Sequence, residues 1–518
     1  MSFPIQLLVF VVLPCALLLF SRRQRGRRAP LPPGPPRLPL IGNLLDIPAK
    51  EPWLAFTEMR AKYGDVTSLT MPGRTIILVH TASAATSILI HSSALTSERP
   101  VLPLAGALCG YDTQLPLSQY TADGPCAPGA VNNRVKAERK CFHGFLGTPG
   151  AVDALVPRVV DEVRDFLRAV EGTEGDVMHH ISRATMRFSL RIAYGHKADT
   201  GTAPDAFVRE VEIGSDNFFE MTKPGASFVD LFPILRHWPS WLPGGDFHRV
   251  GAQIRKHLEY TRDMGITLVK QRMAHESNER SLASSMIETK EDEFLTTVAA
   301  FALGTGASDT TASQLSGFFL AMALNPDIQR AAQAELDAVV GRSRLPTLED
   351  QSSLPYVDAV CKEVLRWFVS APAGWSVPSL FATGLKQAPG LPHRAKQDFV
   401  YESATGPMLI PKDAMLVPNI WQLALVFLNM NRDPDRYVNP DKFDPTRFIA
   451  TKDKPAEENP AKTSFGFGRR ICPGRLLAES SLFLFCSAVL SVFDIGKAHD
   501  SEGKEIDIAL GFTTQTVM

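Results

Sequence analysis

Between Thr463 and Ser480 the chain reads TSFGFGRRICPGRLLAES, and no other stretch limits its folding as tightly. Glycines at 466, 468 and 474 let the backbone turn sharply and approach a flat object closely. Cys472 stands just before an expected helix that begins at Pro473 and runs to 492. Proline suits a first helical turn, where no N–H is needed. The positive end of such a helix lowers the pKa of a neighbouring thiol, and backbone N–H groups near a sulfur tune its electron donation. Arg469 and Arg470 place two cations on the same loop, either of which can neutralise a carboxylate of a bound molecule. Taken singly, these features also describe a glycine turn holding an inert buried thiol. The other cysteines (Cys15, Cys109, Cys126, Cys141, Cys361 and Cys486) are sparse and show no paired spacing. That argues against a disulfide-rich secreted domain and against a zinc knuckle.

The N-terminus carries the second strong signal. Residues 3–20 are almost wholly apolar, with Gln6 the only strongly polar side chain. At helical rise they span about 27 Å, near the lower limit for crossing a bilayer. Arg22, Arg23, Arg25, Arg27 and Arg28 follow. Basic residues after the apolar run favour a cytosolic body and an uncleaved anchor, the reverse of an export signal. The expected organisation is an anchor over 1–20, a basic and proline-rich hinge over 21–40, and one large domain over 41–518. The formal net charge of −1 supplies no basic surface for nucleic acid.

The body reads as mainly α with small β-sheets. Residues 67–80 pattern as a hairpin turning at Pro72-Gly73. Apolar residues at helical spacing predict helices over 151–172, about 179–195, 247–275 and 354–369. Residues 292–325 form the longest helical candidate, apolar around most of its circumference and so buried. GASDTT, residues 306–311, interrupts that surface with polar groups, which a backbone carbonyl one turn back can satisfy. Pro326 suits the start of the next helix. Glu363 and Arg366, three apart, share a helix face.

With these motifs the chain resembles the cytochrome P450 superfamily. The haem-binding pattern of that family is matched by Phe465, Gly468, Arg470, Cys472 and Gly474. The resemblance implies the cytochrome P450 fold, a single large haem domain behind an N-terminal transmembrane helix. It implies haem b, iron protoporphyrin IX, with Cys472 as axial ligand to the iron. A thiolate in that position favours O–O cleavage. Phe465 is then expected to pack near the sulfur, and Arg470, Arg139 and His393 to meet the haem propionates. Asp309 and Thr310 match the acid–threonine pair that relays protons on the distal side. Arg447 completes a structural triad with Glu363 and Arg366. PLAGALCGYDTQLPL, and NIW followed by MNRDPDRY, are similar to fungal microsomal members of secondary metabolism.

By the same likeness the chain is a monooxygenase acting on a hydrophobic small molecule, with a terpenoid as the first choice. Electrons come from NADPH through a separate cytochrome P450 reductase, with cytochrome b5 as a possible second donor. The location is the endoplasmic reticulum membrane, single-pass, with the catalytic domain in the cytosol. Several positions depart from the family pattern. Val135 stands where tryptophan is usual, and Gly306-Ala307 replaces Ala-Gly. Residues 121–134, 368–388 and 422–429 read as insertions, for which translated intron sequence is one account. GFTTQTVM ends before the usual terminal hairpin. These departures carry the alternative of a haem-binding relative without turnover. A haem-thiolate isomerase or dehydratase is the other enzymatic alternative, and a haem-free membrane scaffold is a third.

Overall fold

A computed structural model describes residues 29–47, 52–121, 134–171, 177–198, 205–222, 227–231, 233–275, 279–368, 391–419, 430–499 and 502–506. The expected anchor, hinge residues 21–28 and nearly all of the three apparent insertions lie outside the described residues, as does the C-terminal GFTTQTVM.

The hairpin forms around the predicted Pro72-Gly73 turn. Strands β1 (Val66–Met71) and β2 (Arg74–Val79) pair antiparallel. Gly73 turns the chain at φ +74°, a conformation that glycine adopts without strain. Helix α1 (Arg134–Leu146) follows, then α2 (Val156–Glu171), α3 (Val177–Tyr194), α4 (Ala206–Thr222) and α5 (Phe247–Ala274). The predicted 151–172 helix is in fact two pieces, because a short helix Pro149–Asp153 ends before α2 begins. Pro157 has no N–H to bond back to Asp153, so the first turn of α2 restarts there.

The long apolar candidate is one helix, α6 (Glu293–Leu324). Asp292 caps it by accepting from Leu295 N at 2.8 Å. Pro326 opens α7 (Pro326–Val339), and α8 (Pro355–Trp367) follows. Strands β3 (His393–Arg394), β4 (Phe399–Ser403), β5 (Gly406–Ile410) and β6 (Met415–Pro418) lie between α8 and the cysteine loop. The principal sheet runs β1-β2-β6-β3, with β6 parallel to β2, and β4 pairs β5 separately. Pairing of His393 with Leu416 fixes that histidine at the sheet edge.

The last long helix, α9, spans Arg475–Val492 and not 473–492. A residue before proline is disfavoured in the helical region, so Pro473 holds Cys472 out of the helix, and Gly474 becomes the capping position. Among the described residues α9 is the one helix long and apolar enough to cross a membrane. It is instead a core element. Leu482, Phe483, Leu484, Phe485 and Cys486 are all buried in the large helical core with Phe166, Leu315 and Val364. A smaller core lies under the sheet and contains Ile77, Val79, Leu416 and Phe467. The cysteine loop joins the two, since Phe467 belongs to the sheet core and Phe465 packs against the helical one.

Glu363, Arg366 and Arg447 form the expected triad, fully within the protein. Arg366 donates to both Glu363 carboxylate oxygens at 2.7 and 2.8 Å, and Arg447 Nε donates to Oε1 at 3.2 Å. Their remaining donors reach the carbonyls of Asn431, Val438, Pro440 and Lys442. The triad therefore pins an irregular 430–447 segment onto α8, which supports the cysteine loop from behind.

Candidate active site

The cysteine loop is shaped by its glycines and held from three sides. Gly466 and Gly468 have φ +80° and +56°. A Cβ on Gly468 would stand 2.2 Å from the carbonyl oxygen of Leu89, so only glycine allows that approach. Cys472 N donates to Phe465 O at 2.8 Å, closing the loop on itself. Arg139, from α1, donates to Ile471 O at 2.6 Å. That bond ties the guanidinium to the backbone next to Cys472, and Arg139 does not line the cavity described below.

A cavity of about 350 Å³ lies between this loop and α6. Cys472 and Phe465 line one side, and Thr305, Gly306, Asp309 and Thr310 line the other. Cys472 is surrounded by protein yet keeps accessible surface, because that surface faces the cavity. Burial pushes its thiol pKa up, while the Gly474 N–H and the charges of Arg139 and Arg475 oppose the shift. The helix-end effect expected from sequence is thus outweighed by desolvation.

On α6, Thr310 Oγ1 donates to Gly306 O at 2.8 Å, which meets its hydrogen-bonding need within the helix. Asp309 accepts from Ser215 Oγ of α4 at 2.5 Å. Burial raises the Asp309 carboxyl to about 6. The Ser215 bond opposes that shift, and the nearby Glu212 adds to it. Gly214 of α4 lies at this contact, and a Cβ there would stand at ordinary van der Waals distance, 3.4 Å, from Phe301 Cζ.

At one end of the cavity the wall is cationic. Arg470 donates to the carbonyls of Ser97, Leu115 and Ser118 at 2.8, 3.2 and 2.5 Å. Arg99 donates to Leu391 O and Pro392 O at 2.7 and 2.9 Å, and its Nε has no partner. His393 Nδ1 is bonded to Thr96 O at 2.8 Å. Burial lowers the pKa of Arg470 to about 10 and that of Arg99 well below its ordinary value, and Arg139 repels both. Burial and Arg99 also hold His393 well below the ordinary imidazole range, leaving it neutral. Glu98 offsets part of this charge, but its oxygens already accept from Tyr120 N, Thr121 N and the Thr121 hydroxyl. Arg469 is exposed and stacks over Tyr120.

This donor set fits haem. A thiol faces a largely apolar space, and buried guanidiniums without enough anions stand ready for two carboxylates. The unpaired Nε of Arg99 is the sharpest sign of that fit. Sequence reasoning passed over Arg99, Ser215 and the aromatic wall of Tyr111, Phe218 and Phe301. Only tertiary packing brings them to the cavity. Among the described residues no group of three or more His, Cys, Asp and Glu side chains is arranged to hold a free metal ion.

The family model described as Cytochrome P450 matches residues 32–376 and 385–517. The interruption falls inside the 368–388 segment that reads as an insertion. The chain is 38% identical to Cytochrome P450 monooxygenase claR of Ampulloclitocybe clavipes over 494 residues, 95% of this chain and 85% of that protein. It is 36% identical to Cytochrome P450 monooxygenase 208 of Postia placenta over 510 residues, covering 98% and 92% of the two chains. It is 34% identical to O-methylsterigmatocystin oxidoreductase of Aspergillus flavus over 481 residues, covering 91% and 83%.

Proposed function

The chain belongs to the cytochrome P450 family and is a monooxygenase, an oxidoreductase, and on that premise we propose which of its residues carry the reaction. Cys472 is the ligand to haem iron, and bound haem supplies the activation of dioxygen that inserts one oxygen atom into the substrate. Phe465 would flank the sulfur, and the turns at Gly468 and Gly474 would make room for the flat cofactor. Arg470, Arg99 and His393 take the propionates. Arg139 acts on the same loop through Ile471 O, so it positions the ligand more directly than it holds the cofactor.

Asp309 and Thr310 move protons on the opposite wall. A carboxyl with pKa about 6 exchanges protons readily near neutral pH. The Thr310 hydroxyl, bonded to Gly306 O, faces the same space. The substrate is a hydrophobic small molecule, with a terpenoid as the first choice among terpenoid, polyketide and alkaloid intermediates, and the apolar wall of Phe218, Phe219, Phe301 and Leu482 supports the hydrophobic class. Electrons reach the site from NADPH through a separate reductase, with cytochrome b5 as a possible second donor. Residues 1–20 anchor the protein in the endoplasmic reticulum membrane, and residues 21–40 join that anchor to the cytosolic haem domain.

The observation that carries this reading is Cys472 facing a cavity whose far wall holds Asp309 and Thr310. Its test is the difference spectrum of the reduced protein with carbon monoxide, recorded in membranes. A strongly red-shifted Soret band that disappears in Cys472→Ala is the expected result. A folded wild-type protein without that band defeats the assignment.

A further inference from the structure

One polar side chain in the cavity wall has no part in the reading above. Gln114 follows the short turn Tyr111–Thr113, and its main chain is fixed on both sides. Its N–H donates to Tyr111 O at 3.0 Å, and its carbonyl accepts from Leu117 N and Ser118 N at 3.0 and 2.8 Å. The side chain is 3% exposed and lines the cavity, and neither Nε2 nor Oε1 has a hydrogen-bond partner. An unpaired amide in apolar surroundings is destabilising, and an apolar side chain of similar size would avoid that cost.

The surrounding wall has little to offer it. Tyr111 and Phe218 meet edge to face at 5.1 Å, Phe301 is apolar, and Pro116 has no N–H. Of the charged groups lining the cavity, Arg470 donates to main-chain carbonyls and Asp309 accepts from Ser215, while Arg99 keeps an unpaired Nε that is not bonded to Gln114. No described residue bonds either amide atom, and the cavity that Gln114 lines is where a partner can enter. We propose that Gln114 is the polar recognition point of the substrate site and that it takes a hydroxyl group on an otherwise apolar molecule. An amide presents a donor and an acceptor side by side. One hydroxyl oxygen accepts from Nε2 and donates to Oε1. A ketone or ether leaves Oε1 bare, and a carboxylate is drawn to the guanidiniums instead. Tyr111, Phe218 and Phe301 cover the apolar remainder of such a ligand.

This inference rests on the monooxygenase reading and narrows its hydrophobic substrate to an alcohol or phenol. The test uses the full-length protein and matched pairs: naphthalene with 2-naphthol, fluorene with 9-fluorenol, and farnesene with farnesol. Binding is followed by the Soret shift and by equilibrium dialysis, with haem content measured alongside. At least one alcohol is expected to bind about tenfold or more tightly than its hydrocarbon. Gln114→Leu is expected to erase that preference by weakening the alcohol alone, with haem content unchanged. A wild-type protein with no preference in any pair overturns the proposal, as does a preference that survives Gln114→Leu. Loss of haem from Gln114→Leu overturns it as well, by making the amide a support of the cofactor. A wild-type protein that shows no thiolate spectrum defeats the haem assignment instead, and dialysis still reads the alcohol preference.

Discussion

Asp309 is held between two opposed effects: burial disfavours its charge, and the Ser215 hydroxyl favours it. The balance leaves the folded carboxyl at about 6 against an ordinary 3.8. Between those values the folded protein binds more protons than the unfolded chain, so stability falls as pH rises from about 4 to about 6. Asp309→Asn removes the penalty. The variant should gain about 3 kcal/mol at pH 7.5 and far less at pH 4, while turnover drops. Urea unfolding of both proteins at the two pH values checks this, and a pH-independent difference refutes it. Removing the charge of Glu363 has the opposite effect on stability. Glu363→Gln leaves Arg366 buried without its carboxylate and Arg447 with Glu457 alone, which should cost about 3–5 kcal/mol in the same measurement. At this scale sequence was uneven as a guide. Phe465 to Gly474 was legible because the loop's chemistry is contiguous along the chain. Arg99, Ser215 and Gln114 were not, since each gains its meaning from a neighbour at least 90 positions away or from a cavity that exists only after packing.

Among the elements, long helices were the most readable, because a 3.6-residue apolar period survives any tertiary arrangement. Their contact points were less so. Gly317 on α6 looks like any helical glycine, yet a Cβ there would meet the ring of Phe368 at 2.4 Å. Gly265 on α5 is equally close to Tyr194, at 2.6 Å. Gly317→Ala should destabilise the protein by about 1–3 kcal/mol, despite alanine's better helix propensity. A thermal melt showing stabilisation would mean that the Phe368 contact is loose. Element ends were harder to place, and both errors came at prolines. Pro157 splits one predicted helix, and Pro473 delays another until Arg475. The second shift matters chemically, because it presents Cys472 from outside the helix with the Gly474 N–H beside it.

Across the whole molecule, the apolar and arginine-rich N-terminus predicts where the protein resides. Full-length protein should sediment with membranes and resist carbonate extraction, and deleting residues 1–28 should make extraction easy. Equal extraction of both forms would count against the anchor. The two cores, helical and sheet, meet at the cysteine loop, and the Arg470–Ser97 bond across that junction joins residues 373 positions apart. That span has a consequence in time. At roughly 5–20 residues per second, ribosomes take about 20–75 s to travel from the first of those residues to the second. During that interval the early wall of the pocket exists without its partner, and its arginines face water or chaperone. Haem capture by the finished site is therefore an event at the close of synthesis, and the supply of cofactor at that moment governs how much of the newly made chain becomes enzyme.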